Sequence, residues 1–437
     1  MCNDKNKEDV MLPKDQFALT PPMGWNSWDC YGAAVNEEQL LGNVRYVAEH
    51  LKPFGFEYIV CDIQWFEPTA ESNFYHPFAD LCMDEYSRLV PAPNRFPRGF
   101  RAIADDIHAM GLKFGIHILR GVPRQAVHRN TPILGTDRTA REIAQAYSIC
   151  SWNTDMYGVD CEKDGAQAYY NSLFDLYASW GVDFVKVDDI AVTEFRPDAP
   201  YSAAREIEAI RAAIDQCGRP MVLSLSPGPA RTQDAAHLSE HANMWRMTGD
   251  FWDRWDKLKE MFARCEAWNA YRRVGCWPDC DMLPLGKISK TCCSLGDRDR
   301  YTNFTPDEQK TMLTLWCIFR SPLMLGGELR ENRPEDLALL QNGAVWDLNQ
   351  YSTENRQLLR NDDEAVWACK DKTGTDVVAL FNLSDAARNV SLPLTAFGCN
   401  ETYTPLDLWT KKEDAPVQGV LKKELPAHGC ALLRLQR

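Results

Sequence analysis

Lys186 and Asp188 stand two residues apart in the run Asp183-Phe184-Val185-Lys186-Val187-Asp188-Asp189. Phe184, Val185 and Val187 favour strand geometry. Side chains alternate along a strand, so Lys186 and Asp188 point the same way. A cation beside a carboxylate keeps that carboxylate ionised. An ionised, desolvated Asp at the C-terminal end of a barrel strand is a candidate nucleophile. The same pair also fits a purely structural ion pair, because such networks perturb carboxylates too.

Further polar residues fall at the ends of strand-like runs: Trp28, Asp62, His117, Ser226, Arg246 with Asp250, and Asp279 with Asp281. Several carboxylates without a metal-type His cluster point to acid–base work on a neutral substrate. Two carboxylates flanking a scissile bond is the logic of glycoside hydrolysis. In that reading Asp188 is the nucleophile and Asp250 the acid/base. Two other readings stay open: a barrel isomerase or lyase using Lys186 as a Schiff base, and a sugar-binding barrel without turnover. The 16 Cys are scattered singly apart from Cys292-Cys293. Cys276 and Cys280 have a zinc-like gap, but no second pair follows. Neither a metal nor a cofactor is expected.

Eight strand-like runs alternate with helices and would carry these residues to one mouth. They are Met23–Trp28, Tyr58–Asp62, Lys113–His117, Phe184–Asp188, Met221–Ser226, Asn243–Thr248, Val274–Trp277 and Pro322–Leu325. This alternation over about 330 residues indicates a (β/α)8 barrel. No GxGxxG follows the first run, which weakens a nucleotide-binding open sheet. The connection from His117 to Gly165 is too long for an ordinary loop and reads as a lid or binding loop; it carries Arg120, Arg124 and His128. After about Gln350 short strands follow one another without a convincing helix, as in an all-β sandwich. The expected division is a flexible tail over 1–17, a catalytic barrel over 18–350 and a C-terminal β-sandwich over 351–437.

Of the 437 residues, 45% are hydrophobic, which supports a sizeable core. A net charge of −14 disfavours nucleic acid as a partner. Fourteen Trp could stack on sugar rings as well as fill cores. No apolar run has the length of a membrane span. The polar start, from Met1 to Asp9, is no signal peptide. It fits a mature lipoprotein anchored at Cys2, periplasmic or outer-membrane, or a disordered cytoplasmic terminus.

Five segments resemble glycoside hydrolase family 27, the α-galactosidases and α-N-acetylgalactosaminidases. Thr20-Pro21-Pro22-Met23-Gly24-Trp25-Asn26-Ser27-Trp28 is similar to the family's opening strand, and Val185-Lys186-Val187-Asp188 to its Lys-Tyr-Asp nucleophile motif. Trp245-Arg246-Met247-Thr248-Gly249-Asp250 resembles its acid/base motif, Trp277-Pro278-Asp279-Cys280-Asp281-Met282 its Trp-Asn-Asp-Pro-Asp-Met segment, and Arg320-Ser321-Pro322-Leu323-Met324 its last barrel strand. The resemblance implies a retaining exo-α-glycosidase acting on a carbohydrate. Asp188 and Asp250 would do the chemistry; Trp28, Asp62, His117, Lys186, Ser226, Arg246 and Asp281 would hold the sugar. Galactose, N-acetylgalactosamine and β-L-arabinopyranose all remain open. Three departures bear on that choice. Asp62-Ile63 stands where the family has Asp-Asp, which removes one acceptor for a sugar hydroxyl. His117 replaces a Tyr. Ser226 aligns with the position that discriminates at C2, where α-galactosidases often carry Glu. The family's usual disulfide cysteines are not recovered around Asp189-Ile190 or Gln64.

Overall fold

The structure, a computed structural model, describes residues 11–72, 74–190, 203–291, 299–397 and 401–437. Cys2 and the Cys292-Cys293 pair lie outside them.

The run Val274–Trp277 meets a strand only at its last residue, and the other seven strand-like runs coincide with strands of one parallel sheet. Its strands are β1 (Met23–Asn26), β2 (Tyr58–Cys61), β3 (Lys113–Leu119), β4 (Phe184–Asp188), β5 (Val222–Leu225), β6 (Met244–Arg246), β7 (Trp277–Asp279) and β8 (Leu323–Leu325). They pair in the order β7-β6-β5-β4-β3-β2-β1-β8. The two edges meet through the segment after β7: Leu283 donates its N–H to Met324 at 2.8 Å, and Gly326 donates to Leu283 at 3.0 Å. The sheet thus curls into a (β/α)8 barrel.

The two-residue period of each strand sorts its side chains. Tyr58, Val60, Phe184, Val222, Met244, Trp277 and Met324 fill the lumen as one apolar cluster. Their alternates Ile59, Val185, Val187, Leu223 and Trp245 pack outward against the helices. Lys186 and Asp188 have the parity of Phe184, and Arg246 that of Met244, so these polar side chains stand above the apolar layer. Residues 13–17, part of the expected tail, belong to a 3-10 helix, Pro13–Ala18, with Lys14 and Asp15 buried. Phe17 and Ala18 close the lower end of the lumen cluster.

Outer helices follow local signals. Helix α1 (Glu37–Tyr46) starts with the Asn36 carboxamide accepting from the Gln39 N–H, and α2 (Gly99–Ala109) precedes β3. Helix α3 (Ala166–Trp180) ends at Gly181 with φ 86°, the left-handed stop that glycine adopts without a Cβ penalty. Then come α4 (Ala204–Gln216), α5 (Ala235–His241), α6 (Trp255–Trp268) and α7 (Pro306–Phe319). The connection between β3 and α3 is not structureless. It holds the helix Arg124–Arg129 and a three-stranded sheet of Val122–Pro123, Ala144–Ile149 and Met156–Val159.

The C-terminal region is antiparallel. Thr353–Arg360, Glu364–Lys370, Asp376–Asn382, Cys430–Gln436, Thr402–Asp407 and Val417–Gln418 form a six-stranded sheet in that order. Arg388–Pro393 pairs with Val420–Leu425 and covers one face, packing Val390, Leu392 and Leu421 on Val366, Val378 and Leu380. The other face turns to the barrel. Trp367 meets Phe319 edge-on at 6.2 Å, and Phe381 meets Phe262 at 4.9 Å. No helix among the described residues is long and apolar enough to cross a membrane.

Candidate active site

A cavity of about 210 Å³ opens at the C-terminal ends of the barrel strands. Trp28, Asp62, Lys186, Asp188, Arg246, Asp250 and Asp281 all line it, together with Asp29, Ile63, Tyr75, Trp152 and Trp252. Seven of the nine residues expected to do the chemistry or hold the sugar therefore share one pocket; Asp279, also singled out at a strand end, does not line it.

Asp188 ends β4. Its Oδ1 accepts the Asp189 N–H at 2.9 Å, and its Oδ2 lies 3.1 Å from His117 Nε2. An ionised carboxylate only accepts, so His117 donates. Burial alone would raise the Asp188 pKa. The His117 hydrogen bond, the charges of His117 and Lys186, and the Asp189 N–H outweigh it and bring the value down to about 2. Asp188 is thus an anion at any working pH, as a nucleophile must be.

Asp62 follows β2 and is 1% exposed. Its Oδ2 accepts from Lys186 Nζ at 2.9 Å and Asn26 Nδ2 at 2.7 Å; its Oδ1 accepts the Ile63 N–H at 2.9 Å. Burial works against its charge, but Lys186, His117 and Asn26 prevail and lower its pKa. Lys186 responds in kind: burial would depress the ammonium, and Asp62 and Asp188 hold its pKa above the ordinary lysine value.

The opposite wall is built on Arg246, at the end of β6. Its Nη2 donates to Asp250 Oδ1 at 3.1 Å and to the Gly249 carbonyl at 2.8 Å, and it makes an ion pair with Asp281 Oδ2 at 2.7 Å. Asp281 also accepts the Phe251 N–H at 2.7 Å. Burial pushes the Asp281 carboxyl up to about 7; Arg246 opposes this, while Asp250 and Asp279 add to it. Asp250 is different in kind: its side chain is 62% exposed at the mouth, where protons and water can be exchanged.

His117 and Ser226 are the two residues that do not reach the pocket. His117 is level with Lys186 in the β3–β4 register, one layer beneath Asp188, and fully buried. It stands behind the wall, with Nε2 3.1 Å from Asp188 Oδ2 and 3.9 Å from Asp62 Oδ1, and does not itself line the cavity. Ser226 lines a separate cavity of about 20 Å³ inside the barrel, beside Asn26, Ser224 and Asp279; Pro227 takes the place on the pocket wall. Of the residues on the long β3–α3 connection, Arg120 is spent on Asp189 and on Glu206, at 3.0 and 2.9 Å. Arg124 stacks over Tyr157 and donates to the Met156 carbonyl. Trp152 is the member of that connection that reaches the site. It packs on Tyr75 at 5.5 Å, and Tyr75 stacks on Trp28 at 6.2 Å, giving an aromatic row along one rim. Tyr75, Trp152 and Trp252 carried no strand-end signal, since loops place them; their aromatic type was the only hint.

A buried anion, an exposed carboxyl across the pocket and paired polar groups around both can cleave a glycosidic bond. The sequence profile described as alpha galactosidase A matches residues 20–164 and 151–351. The profile of the alpha galactosidase C-terminal beta sandwich domain matches 361–435. The chain belongs to glycoside hydrolase family 27. Alpha-galactosidase 2 of Arabidopsis thaliana is 25% identical over 432 residues, 98% of this chain and 92% of that one. The crystal structure of a family 27 β-L-arabinopyranosidase from Geobacillus stearothermophilus is 55% identical with a TM-score of 0.94, covering 97% of this chain and 98% of its own. A variant of that enzyme has been solved with arabinose. A Bacillus halodurans protein provisionally assigned as an α-N-acetylgalactosaminidase is 52% identical with a TM-score of 0.86, covering 96% and 97%. This family 27 chain is a retaining α-glycosidase of the α-galactosidase class, and carbohydrate is its substrate.

Proposed function

We propose that the enzyme releases terminal β-L-arabinopyranose, with Asp188 as nucleophile and Asp250 as acid/base. Ile63 on the pocket wall carries this reading. β-L-Arabinopyranose has the ring stereochemistry of α-D-galactopyranose without the hydroxymethyl group. A hydroxymethyl oxygen needs a hydrogen-bond partner once it leaves water. Ile63 supplies none, and the neighbouring Asp62 carboxylate already accepts from Asn26, Lys186 and the Ile63 N–H. An apolar wall suits a sugar that ends at C5. The 55% identity to the Geobacillus stearothermophilus β-L-arabinopyranosidase, against 25% to the plant α-galactosidase, points the same way.

In this mechanism Asp62, Lys186, Arg246 and Asp281 bind the sugar hydroxyls and Trp28 borders the ring. An Asp188 oxygen attacks the anomeric carbon as the glycosidic bond breaks, and the leaving oxygen takes the Asp250 proton. Water then attacks the glycosyl ester, giving its proton to Asp250 and freeing Asp188. Two displacements retain configuration. His117 orients Asp188 from behind.

The N-acetylgalactosamine reading rests on Ser226, whose hydroxyl lies in the inner cavity. The test compares kcat/KM on 4-nitrophenyl β-L-arabinopyranoside, α-D-galactopyranoside and α-N-acetylgalactosaminide. The arabinoside should lead. Ile63→Asp should move the arabinoside-to-galactoside ratio toward galactose by about 10- to 200-fold, the range of one pocket contact. A wild-type preference for either galactose-type sugar overturns the proposal.

A further inference from the structure

Cysteine spacing indicates no metal site, but a pair of histidines does. His237 and His241 are four residues apart on α5 and so share one helix face, their ring centroids 4.4 Å apart. Glu208 reaches them from the neighbouring helix α4, with its Oε1 3.1 Å from His237 Nε2. One ligand atom from each of the three lies within 4.8 Å of the others, and all three residues are partly buried.

The dimensions suit zinc. Tetrahedral zinc with bonds of about 2.0–2.1 Å places neighbouring ligand atoms about 3.3 Å apart. Glu208 and His237 already stand close to that separation, at 3.1 Å, and rotation of the His241 side chain would close the other two edges. Two imidazoles at i and i+4 are how a helix offers a zinc ion two ligands at once. A carboxylate from a second element completes a three-ligand set with an open position for water.

We infer that Glu208, His237 and His241 form a binding site for a divalent transition ion, zinc being the ion this ligand set suits. Its neighbours carry both signs of charge. Glu240 Oε2 is 3.9 Å from His241 Nε2 and adds negative potential. Arg205 Nη1 donates to Glu208 Oε2 at 2.8 Å, which opposes a cation but leaves Oε1 turned to His237. The site is remote from the sugar pocket. His241 borders a groove with Lys14, Phe17 and Glu240, beside the segment that plugs the lower end of the barrel. The ion would clip the helix that follows β4 to the helix that follows β5. A ligand bound only by the folded state raises its stability, so an ion held here would strengthen the join between these two helices.

The experiment uses the whole chain and zinc chloride. Bound zinc and the shift of Tm with added zinc are measured for wild type, for His237→Ala/His241→Ala and for Glu208→Gln. Zinc taken up by the many cysteines is common to all and drops out of the differences. Wild type should bind one zinc more per chain than the double variant, and its Tm should rise with zinc while that of the double variant does not. Aryl-glycoside turnover without zinc should be the same in all three, which reports folding. Equal zinc stoichiometry and equal Tm response in wild type and double variant overturn the inference and leave an ion-pair network. Should the double variant fail to fold, the same two outcomes are read from Glu208→Gln.

Discussion

Asp188 keeps its charge through three partners, and each makes a separable contribution. In the proposed mechanism, replacing it with Asn removes the nucleophile while preserving shape. Turnover should fall by about three to four decades or more, at about 1.36 kcal/mol of barrel-bound transition-state stabilisation per decade. The neighbouring Asp189→Asn should instead lower Tm and leave much of kcat, because Asp189 faces Arg120 and not the pocket. His117→Phe tests the positioning role. Activity requires the Asp188 anion and is lost as pH falls through its pKa. With His117 present that value is about 2. Without the hydrogen bond burial is less opposed, the pKa rises, and the acid limb of the kcat/KM profile should move to higher pH. An unmoved limb would reduce His117 to packing. Much of this was legible in the chain. A period of two sends Lys186 and Asp188 inward together, and a strand-final carboxylate reaches the mouth. What spacing could not supply was depth: Lys186 spans one layer of the barrel with its long stem, while His117 on the same level cannot.

The insertion between β3 and α3 shows how an element outside the barrel finishes its site. Its small antiparallel sheet holds Trp152 against Tyr75 at the rim, where the proposed binding mode puts the part of the substrate beyond the first sugar. Aromatic packing contributes about 0.5–1.5 kcal/mol beyond area burial. Trp152→Ala should therefore raise KM for aryl and disaccharide substrates by roughly 3- to 10-fold with little change in kcat. An equal effect on kcat would place Trp152 in the chemistry. The sequence marked this connection as functional through its length, but pointed to Arg120, Arg124 and His128. Charged residues stand out in a sequence, yet here Arg120 serves a buried ion pair. Seven of the eight barrel strands were legible as short apolar runs between helices; β7 lies mostly beyond its expected run, because Trp277-Pro278-Asp279 is not such a run. Three strands of the C-terminal region were not legible, among them Val417–Gln418, which is only two residues long. Thr353–Arg360 is largely exposed, and Val420–Leu425 carries Lys422, Lys423 and Glu424, so neither shows a clean apolar run.

At the level of the whole molecule, the six-stranded sheet is buried on both faces, by its own two-stranded cover and by the barrel. Barrel and sandwich should then unfold together. Urea titrations followed by tryptophan fluorescence and by residual activity should coincide in one transition. Trp367→Ala, at the seam against Phe319, should cost about 3–5 kcal/mol and lower both midpoints alike. Two separated transitions would show that the seam is not shared. The charge of the molecule has a consequence of its own. The chain carries −14, and Asp62, Asp188 and Asp250 surround a pocket whose cations among the described residues, Lys186 and Arg246, already face carboxylates. A uronic acid with the galactose ring would bring its carboxylate to the apolar side of that pocket, where Ile63 offers no counter-charge. Such acidic sugars would meet desolvation and repulsion at once, so on the proposed binding mode pectin-like chains made of them are expected to be poor substrates even where their stereochemistry fits.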